Sequence, residues 1–509
     1  MRRVFPLLAF SLLLSGCFGA GEGVEVPVEE IYFPVGLALD ADSEHLFVVS
    51  SDFDLQYNGG AVQSYALADL AEQVALPCSS DADCDGAACD VADGLCARFE
   101  GEVCSAGDRS ASERLLYPGR CKAVTVAPRS SVKIGAFATD VVLRQRPEGA
   151  EEAGGQGAPE RLFIPVRGDA TLHWIDVRDG ALECGQSGEG ACDGAHRAGD
   201  DPEESSRELR LAAEPFGIDA TESGRTIVVT NQTSGSASLF VNDWETSVGP
   251  RLRFALTSDR MPSRPTGVAS MPLRKQVAAG PSAGSANAGD DQAGFLMTFR
   301  NSAQVRVLRF SADLPSSPER DFLSDAGGVG IDANSVGTDS RGIAVDASAR
   351  RAAEARCGDD QACIDRAALV SLDVYVANRS PASLLIGRTA PPLDQPYFFQ
   401  SLPLTVGPSR VVVGQVRSSS GELETRVFVV CFDSRRIFVY DPQRSRFEAE
   451  ISTGRGPHAV AVDTQASRLY VGHFTDSYIG VFSLDLQHPQ TYGTMLGTLG
   501  VPKPPRASK

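Results

Sequence analysis

Basic residues are in short supply in this sequence. Lysine and arginine number 47 against 66 aspartates and glutamates, a formal charge of −19 over 509 residues. So acidic a surface repels phosphate backbones and excludes nucleic acid as a partner. Histidine is scarcer still, with six copies, and no Cys-x-x-Cys occurs, so structural zinc is not expected. There is no P-loop, no dinucleotide fingerprint and no His-Glu-x-x-His. Gly280-Pro281-Ser282-Ala283-Gly284 has the spacing of a nucleophile elbow. That elbow works only as a strained strand-to-helix turn, and this copy sits in low-complexity sequence, so it is read as chance. After residue 17 no apolar run is long enough to cross a bilayer.

What is present begins with a targeting segment. Arg2 and Arg3 precede an apolar core over 4–14, too short for a membrane span and right for a secretory signal. The core ends in Leu14-Ser15-Gly16-Cys17, which resembles the lipobox of bacterial lipoproteins. The resemblance implies cleavage after residue 16 and a diacylglycerol on Cys17, with the new amine acylated. Several acyl chains (palmitate among the usual ones) hold a protein stably at a membrane. Position 18 is Phe rather than the Asp that retains such proteins at the inner membrane, so an outer-membrane lipoprotein is expected, facing the periplasm or the cell surface. Losing Arg2 and Arg3 takes the charge from −19 to −21.

The cysteines agree with export. Cys78, Cys84, Cys89, Cys96, Cys104 and Cys121 form one group, Cys184 and Cys192 a pair, and Cys357 and Cys363 another. In an oxidising compartment these read as three disulfides and two single ones, with the pairing inside the six left open. Cys431 lies in an apolar run and is expected as a buried free thiol.

A recurring unit organises the rest. Each copy has a Pro/Gly turn, a small-and-branched run ending near Asp, then a second and a third apolar run. Copies begin at Pro34-Val35-Gly36, Thr139-Asp140, Pro215-Phe216-Gly217, Pro265-Thr266-Gly267, Arg341-Gly342, Pro408-Ser409-Arg410 and Gly456-Pro457-His458. Their second runs cover 46–50, 162–166, 227–231, 295–299, 374–378, 427–432 and 469–473. The runs are short, rich in Val, Ile, Phe and Tyr, and bounded by turn residues, which predicts strands. Gly217 and Gly267 are 50 residues apart, and Arg410 and Ala459 are 49. A period near 50 with several strands per unit predicts propeller blades, which shield their faces only as a ring.

Tyr375-Val376-Ala377-Asn378 and Val228-Val229-Thr230-Asn231 give the units a resemblance to the YVTN-repeat β-propellers, over about 33–486. That implies an all-β, seven-bladed propeller, in a superfamily that includes lactonase-like enzymes, binding proteins and others. The expected layout is a signal peptide over 1–16, a lipidated N-terminus with a candidate ring-closing strand over 17–32, the propeller over 33–501 and a tail over 502–509. A cysteine-rich insertion (77–121) interrupts the first blade, 276–293 reads as a mobile loop, and 349–369 as a helical excursion stapled by its cysteine pair. The strand-like stretch 491–501 is one strand more than a simple count requires.

Candidate sites are few. Repeat alignment brings Phe216, Thr266, Arg341, Ser409 and His458 to one end of the channel from the first turns. Arg167, Gln232, Arg300, Arg379 and His473 follow the second runs. Arginines around one opening would suit an anionic small ligand; the plainer reading has them paired to acidic neighbours. Asp81, Asp83 and Asp85 alternate before Gly86 and form a weak calcium candidate, since Ala92 stands where an EF-hand needs glutamate. No other cofactor is expected. Three functions follow. The first is a non-enzymatic binding or scaffold propeller at the envelope, anchored through its lipid. The second is a lactonase-like hydrolase using His458, His473 and an arginine. The third is a structural role in which the cysteine-rich insertion contacts an envelope protein.

Overall fold

The computed structural model describes residues 23–502 apart from 85, 93, 97–122, 148–157, 186–189, 206, 245–247, 258, 260, 274–292, 312–320 and 331–338. Cys17, Asp85, Cys104, Cys121, the Gly280–Gly284 motif and nearly all of 276–293 lie outside these residues. Among the described residues no helix is long and apolar enough to cross a membrane.

Among the described residues the strands form seven main sheets in chain order, each with four antiparallel strands running outward. Arg197–Ala198 adds to the second, Ala123–Val124 adds a parallel edge to the seventh, and Cys89–Asp90 with Leu95–Cys96 makes a separate two-stranded sheet. Innermost strands are Pro34–Leu39, Val142–Gln145, Pro215–Ala220, Pro265–Ser270, Ser340–Asp346, Pro408–Arg417 and Pro457–Asp463. The second strands match the seven second runs, as in Thr226–Asn231 and Arg468–His473, except that the sixth strand, Leu423–Cys431, ends one residue before its run does.

Why the runs are apolar throughout is plain from the packing. Alternate side chains of one strand face opposite ways, and here both ways lead to another sheet. Ile227 and Val229 pack towards the second sheet, while Val228 packs towards the fourth. Seven apolar clusters result, one per sheet–sheet seam, and the last joins Leu46 and Val48 of the first sheet to Tyr470 and Ile479 of the seventh. The ring is closed: this is a seven-bladed β-propeller, and the sheets are numbered below as blades 1 to 7.

Closure does not use residues 24–32 as a ring-closing strand. Val24 instead makes a bridge to Tyr57, and Gln63 Nε2 holds the Val28 and Glu30 carbonyls, so the segment lies along blade 1. The apparent surplus strand is Met495–Leu499, the outer strand of blade 7. The seam is covered by the insertion between the third strand of blade 1 (Gly60–Ala66) and its fourth (Ser130–Ile134). Leu67, Leu70 and Val74 pack into the seam cluster. Ala75 N–H donates to the Leu496 carbonyl, and Ala123–Val124 pairs in parallel with Thr498 and Leu499. Cys78–Cys89 and Cys84–Cys96 tie the insertion together, and the four half-cystines form its own small core. Cys184–Cys192 and Cys357–Cys363 are also bonded, and Cys431 is a buried free thiol. Helices Ser348–Ala355 and Gln361–Ala367 lie between the first and second strands of blade 5.

Candidate binding site at the channel mouth

Seven equivalent backbone hydrogen bonds build one end of the channel. In each blade an N–H at or just past the end of the second strand donates to a carbonyl in the turn before the inner strand. The pairs are Ser51–Phe33, Arg167–Phe137, Gln232–Glu214, Arg300–Arg264, Arg379–Asp339, Phe432–Gly407 and Phe474–Gly456, at 2.8–3.1 Å. The acceptors include Phe33, Phe137, Glu214 and Arg264 at φ of +42° to +60°, where blades 6 and 7 use glycine. A side chain in that left-handed region costs about 1–2 kcal/mol. These four blades therefore hold side chains at the rim against a local preference.

The rim has two unlike halves. On blades 6, 7, 1 and 2 it is aromatic: Phe33 and Phe53 each lie 5.1 Å from Phe474, and Phe53 stands edge-on to Phe137 at 6.0 Å. Phe53, Phe137 and Phe474, with Val35, Phe216, Phe432, Arg167 and His458, line a cavity of about 230 Å³, and Phe33 packs on Phe53 and Phe474. Phe53 is 51% exposed, so this apolar surface is open to the outside.

On blades 2 to 5 the rim is basic. Arg341 pairs with Asp339 (Nη2 to Oδ2, 2.9 Å), Arg300 Nε lies 3.7 Å from Asp339, Arg379 pairs with Asp433 and Arg167 with Glu214. Burial and then the nearby Arg341 push the Arg300 pKa down, with Arg264 and Arg379 adding to the effect and Asp339 opposing it. Five arginines (Arg167, Arg264, Arg300, Arg341, Arg379) face three carboxylates (Glu214, Asp339, Asp433), leaving a net +2 on one arc of a protein of charge −19.

Below the rim, His458 forms the throat. It lines both the mouth cavity and a second, deeper one of about 240 Å³. Burial, then Arg410, lowers its pKa from 6.5 to about 3, so the imidazole is neutral at ordinary pH. The deeper cavity also holds Thr266, Arg341 and Ser409. The third position of the inner strand faces this space, and in four blades it is glycine (Gly36, Gly217, Gly267, Gly342). A Cβ on Gly267 would stand 2.5 Å from the Arg341 carbonyl oxygen of the next blade. At the aligned position blade 7 has Ala459, while blades 2 and 6 carry Asp140 and Arg410, and these two meet: Arg410 Nη1 donates to Asp140 Oδ1 at 2.9 Å.

Of the residues expected at the mouth, Arg167, Phe216, Arg341 and His458 line the cavities, and Arg300 and Arg379 stand on the basic rim. Gln232 is on the rim by its backbone, but its side-chain nitrogen is buried without a partner. His473 is not at the mouth. It pairs across from Pro457, as Asn231 does from Pro215, and so is the last residue of its strand. A shift of one residue turns a strand side chain to the other face. His473 is fully buried, stacked 4.1 Å from Tyr478, and its Nε2 accepts from Gly454 N–H. Phe474 takes the rim position instead. The aromatic arc, Arg264 and the Asp140–Arg410 pair were missed. Aligning the residue after each second strand would have found Phe432 and Phe474, and the charged breaks in the glycine column Asp140 and Arg410; Phe33, Phe53, Phe137 and Arg264 share no such signal. In the cysteine-rich insertion, Asp81 accepts from Cys89 N–H and Asp83 from Ser79 and Ser80 N–H, so both carboxylates serve the turn.

No protein-family profile and no curated protein matches this chain. Solved structures do. A putative 6-phosphogluconolactonase from Bacteroides uniformis is 14% identical, with 83% of this chain and 86% of that one covered at a TM-score of 0.43. The periplasmic gluconolactonase PpgL of Pseudomonas aeruginosa gives 14%, 83%, 86% and 0.42. Virginiamycin B lyase from Staphylococcus aureus gives 9%, 87%, 92% and 0.40. Likenesses this distant say nothing about ligand or activity.

Proposed function

We propose that this chain is an envelope lipoprotein, anchored through acyl chains on Cys17, whose ring binds amphipathic anions at the channel mouth. One observation carries the reading: the mouth sets an open aromatic pocket against an arc of net positive charge. A ligand with an apolar body and an acidic group satisfies both halves at once, by area burial on one side and charge-assisted hydrogen bonds on the other. The left-handed Phe33, Phe137 and Arg264 add support, because strained positions gather where a side chain is needed.

The test uses the mature chain and 8-anilinonaphthalene-1-sulfonate, a fluorescent amphipathic anion, with decanoate as competitor. Saturable binding that weakens about ten-fold in both Phe53→Ser and Arg300→Gln is expected. Binding indifferent to both substitutions would discard the reading. A hydrolytic reading retains one favourable observation, the neutral His458 lining the same cavity as Asp140. Lactone turnover abolished by His458→Ala would favour it over simple binding.

A further inference from the structure

Where the N-terminal segment joins the ring limits which way the ring can face. Val24 N–H donates to the Gln56 carbonyl at 3.2 Å, and Asn58 N–H donates to the Val24 carbonyl at 2.8 Å. Residues 56–58 belong to the loop between the second and third strands of blade 1, His45–Ser50 and Gly60–Ala66. That loop stands at the mouth, since its Ser51 makes the blade 1 member of the seven mouth hydrogen bonds and its Phe53 lines the mouth cavity. The chain therefore enters the ring at the mouth end, on the aromatic half.

Val24 lies seven residues after Cys17. A chain of that length reaches at most about 25 Å. The first three strands of blade 1 are six or seven residues long, about 20–23 Å, and the turns beyond them add more. A tether run along the blade is spent before it clears the other end. The outer flank of blade 1 is taken as well: Ala191 bridges Lys133, and Leu182 N–H donates to Ser130 Oγ. An acyl anchor on Cys17 thus keeps the mouth end nearest the bilayer.

The chemistry of the two ends agrees. At the mouth Phe53 and Val24 are exposed, and Val406, in the turn before the inner strand of blade 6, is 68% exposed. Beside them runs the arc of net +2, with Arg264 exposed on it. A bilayer surface with anionic headgroups accepts both features. Apolar side chains enter the acyl boundary, and each basic residue near the surface gains about 1 kcal/mol. At the other end of blade 1 the turn holds Asp40, Asp42 and Glu44, the last two exposed, which such a surface repels. Leu393 and Leu423 are exposed at that end too, but on blades 5 and 6, beyond the reach of the tether.

We infer that the ring sits mouth-down on an anionic bilayer surface, with Phe53 and Val406 against lipid and Arg264 at the headgroup phosphates. This rests on acylation of Cys17 and not on what the mouth cavity binds. It would give that cavity direct access to amphiphiles dissolved in the membrane.

The test places the acylated protein in vesicles of phosphatidylethanolamine and phosphatidylglycerol whose acyl chains are brominated, which quenches tryptophan on contact. Wild type supplies the baseline, because Trp174 and Trp244 are both buried. The added emission of Phe53→Trp should fall about two-fold when brominated lipid replaces ordinary lipid, and that of Ala41→Trp, in the far turn of blade 1, should not change. Adding Arg264→Glu to Phe53→Trp should lessen the quenching about two-fold. Should Phe53→Trp fail to fold, Val406→Trp reports from the same end. Quenching no greater at the mouth than in Ala41→Trp overturns the inference, and so does quenching that ignores Arg264→Glu. The mass of the N-terminal peptide decides separately whether Cys17 is acylated; a bare cysteine ends the lipoprotein reading and this orientation together. Binding of 8-anilinonaphthalene-1-sulfonate by the Cys17→Ser chain in solution reports on the cavity alone, so ligand reading and orientation fail independently.

Discussion

Asp140 and Arg410 join blades 2 and 6 directly across the axial channel, at 2.9 Å and with most of both side chains covered. Burial raises the Asp140 pKa, with Arg410 opposing. Arg410→Gln strands the carboxylate, and a loss of about 1–3 kcal/mol is expected in urea unfolding at pH 7.5. A carboxyl with a raised folded pKa binds its proton more tightly when folded, so its penalty grows as pH rises through that pKa. The variant should therefore approach wild type as the pH is lowered and the carboxyl takes up its proton. Asn at 140 together with Gln at 410 should recover most of the loss at pH 7.5; no recovery would mean that the two residues act separately.

Asp52 gives a second pH signature. It is fully buried, its Oδ1 accepts from Tyr57 N–H at 3.0 Å, and its Oδ2 has no partner. Burial above all, with Asp54 adding and the Tyr57 amide opposing, raises its pKa from 3.8 to about 6. The folded state then carries a penalty that is complete above pH 6 and absent below about pH 4. Asp52→Asn should stabilise the protein by about 1–3 kcal/mol at pH 7.5 and by nothing at pH 4. An equal gain at both values would show that the charge is not the cause.

His473 acts with the opposite sign. Burial lowers its pKa from 6.5 to about 3, so it stays neutral when folded and takes a proton when unfolded below about pH 6.5. Its stabilising contribution is intact above that value and drains away as pH falls towards 3. His473→Gln should lower stability at pH 7.5, by loss of the stacking on Tyr478. It should also flatten the acid limb by about 1.4 kcal/mol per pH unit. An acid limb as steep as that of wild type would rule His473 out as its source.

The seam between blades 1 and 7 is predicted to depend on the insertion that covers it. Leu70→Ala should cost about 2–5 kcal/mol, since Leu70 is fully buried in the seam cluster. Replacing Cys84 and Cys96 by serine should cost about 2–4 kcal/mol. In both variants hydrogen exchange should quicken first at 495–499, the strand whose edge the insertion holds. Protection lost evenly around the ring would show that the insertion is no clasp.

The repeat was legible because each second strand is buried on both faces, which leaves an apolar run with turn residues at either end. Val228-Val229-Thr230-Asn231 and its counterparts announce themselves for that reason. The basic half of the rim was legible too, since Arg167, Arg300 and Arg379 follow those runs directly. His473 was misplaced by one residue, which in a strand inverts a side chain's direction. Phe33, Phe53 and Phe137 share no local pattern.

Period, strand type, blade number and clustered cysteines were thus determined by the sequence alone, because short-range alternation and turn chemistry encode them. Tertiary structure decided which departures from the repeat meet: Asp140 with Arg410, and the blade 1 insertion with blade 7. Ring closure brings distant positions to one axis or one seam, and the distances that govern charge and hydrogen bonding exist only once it has closed.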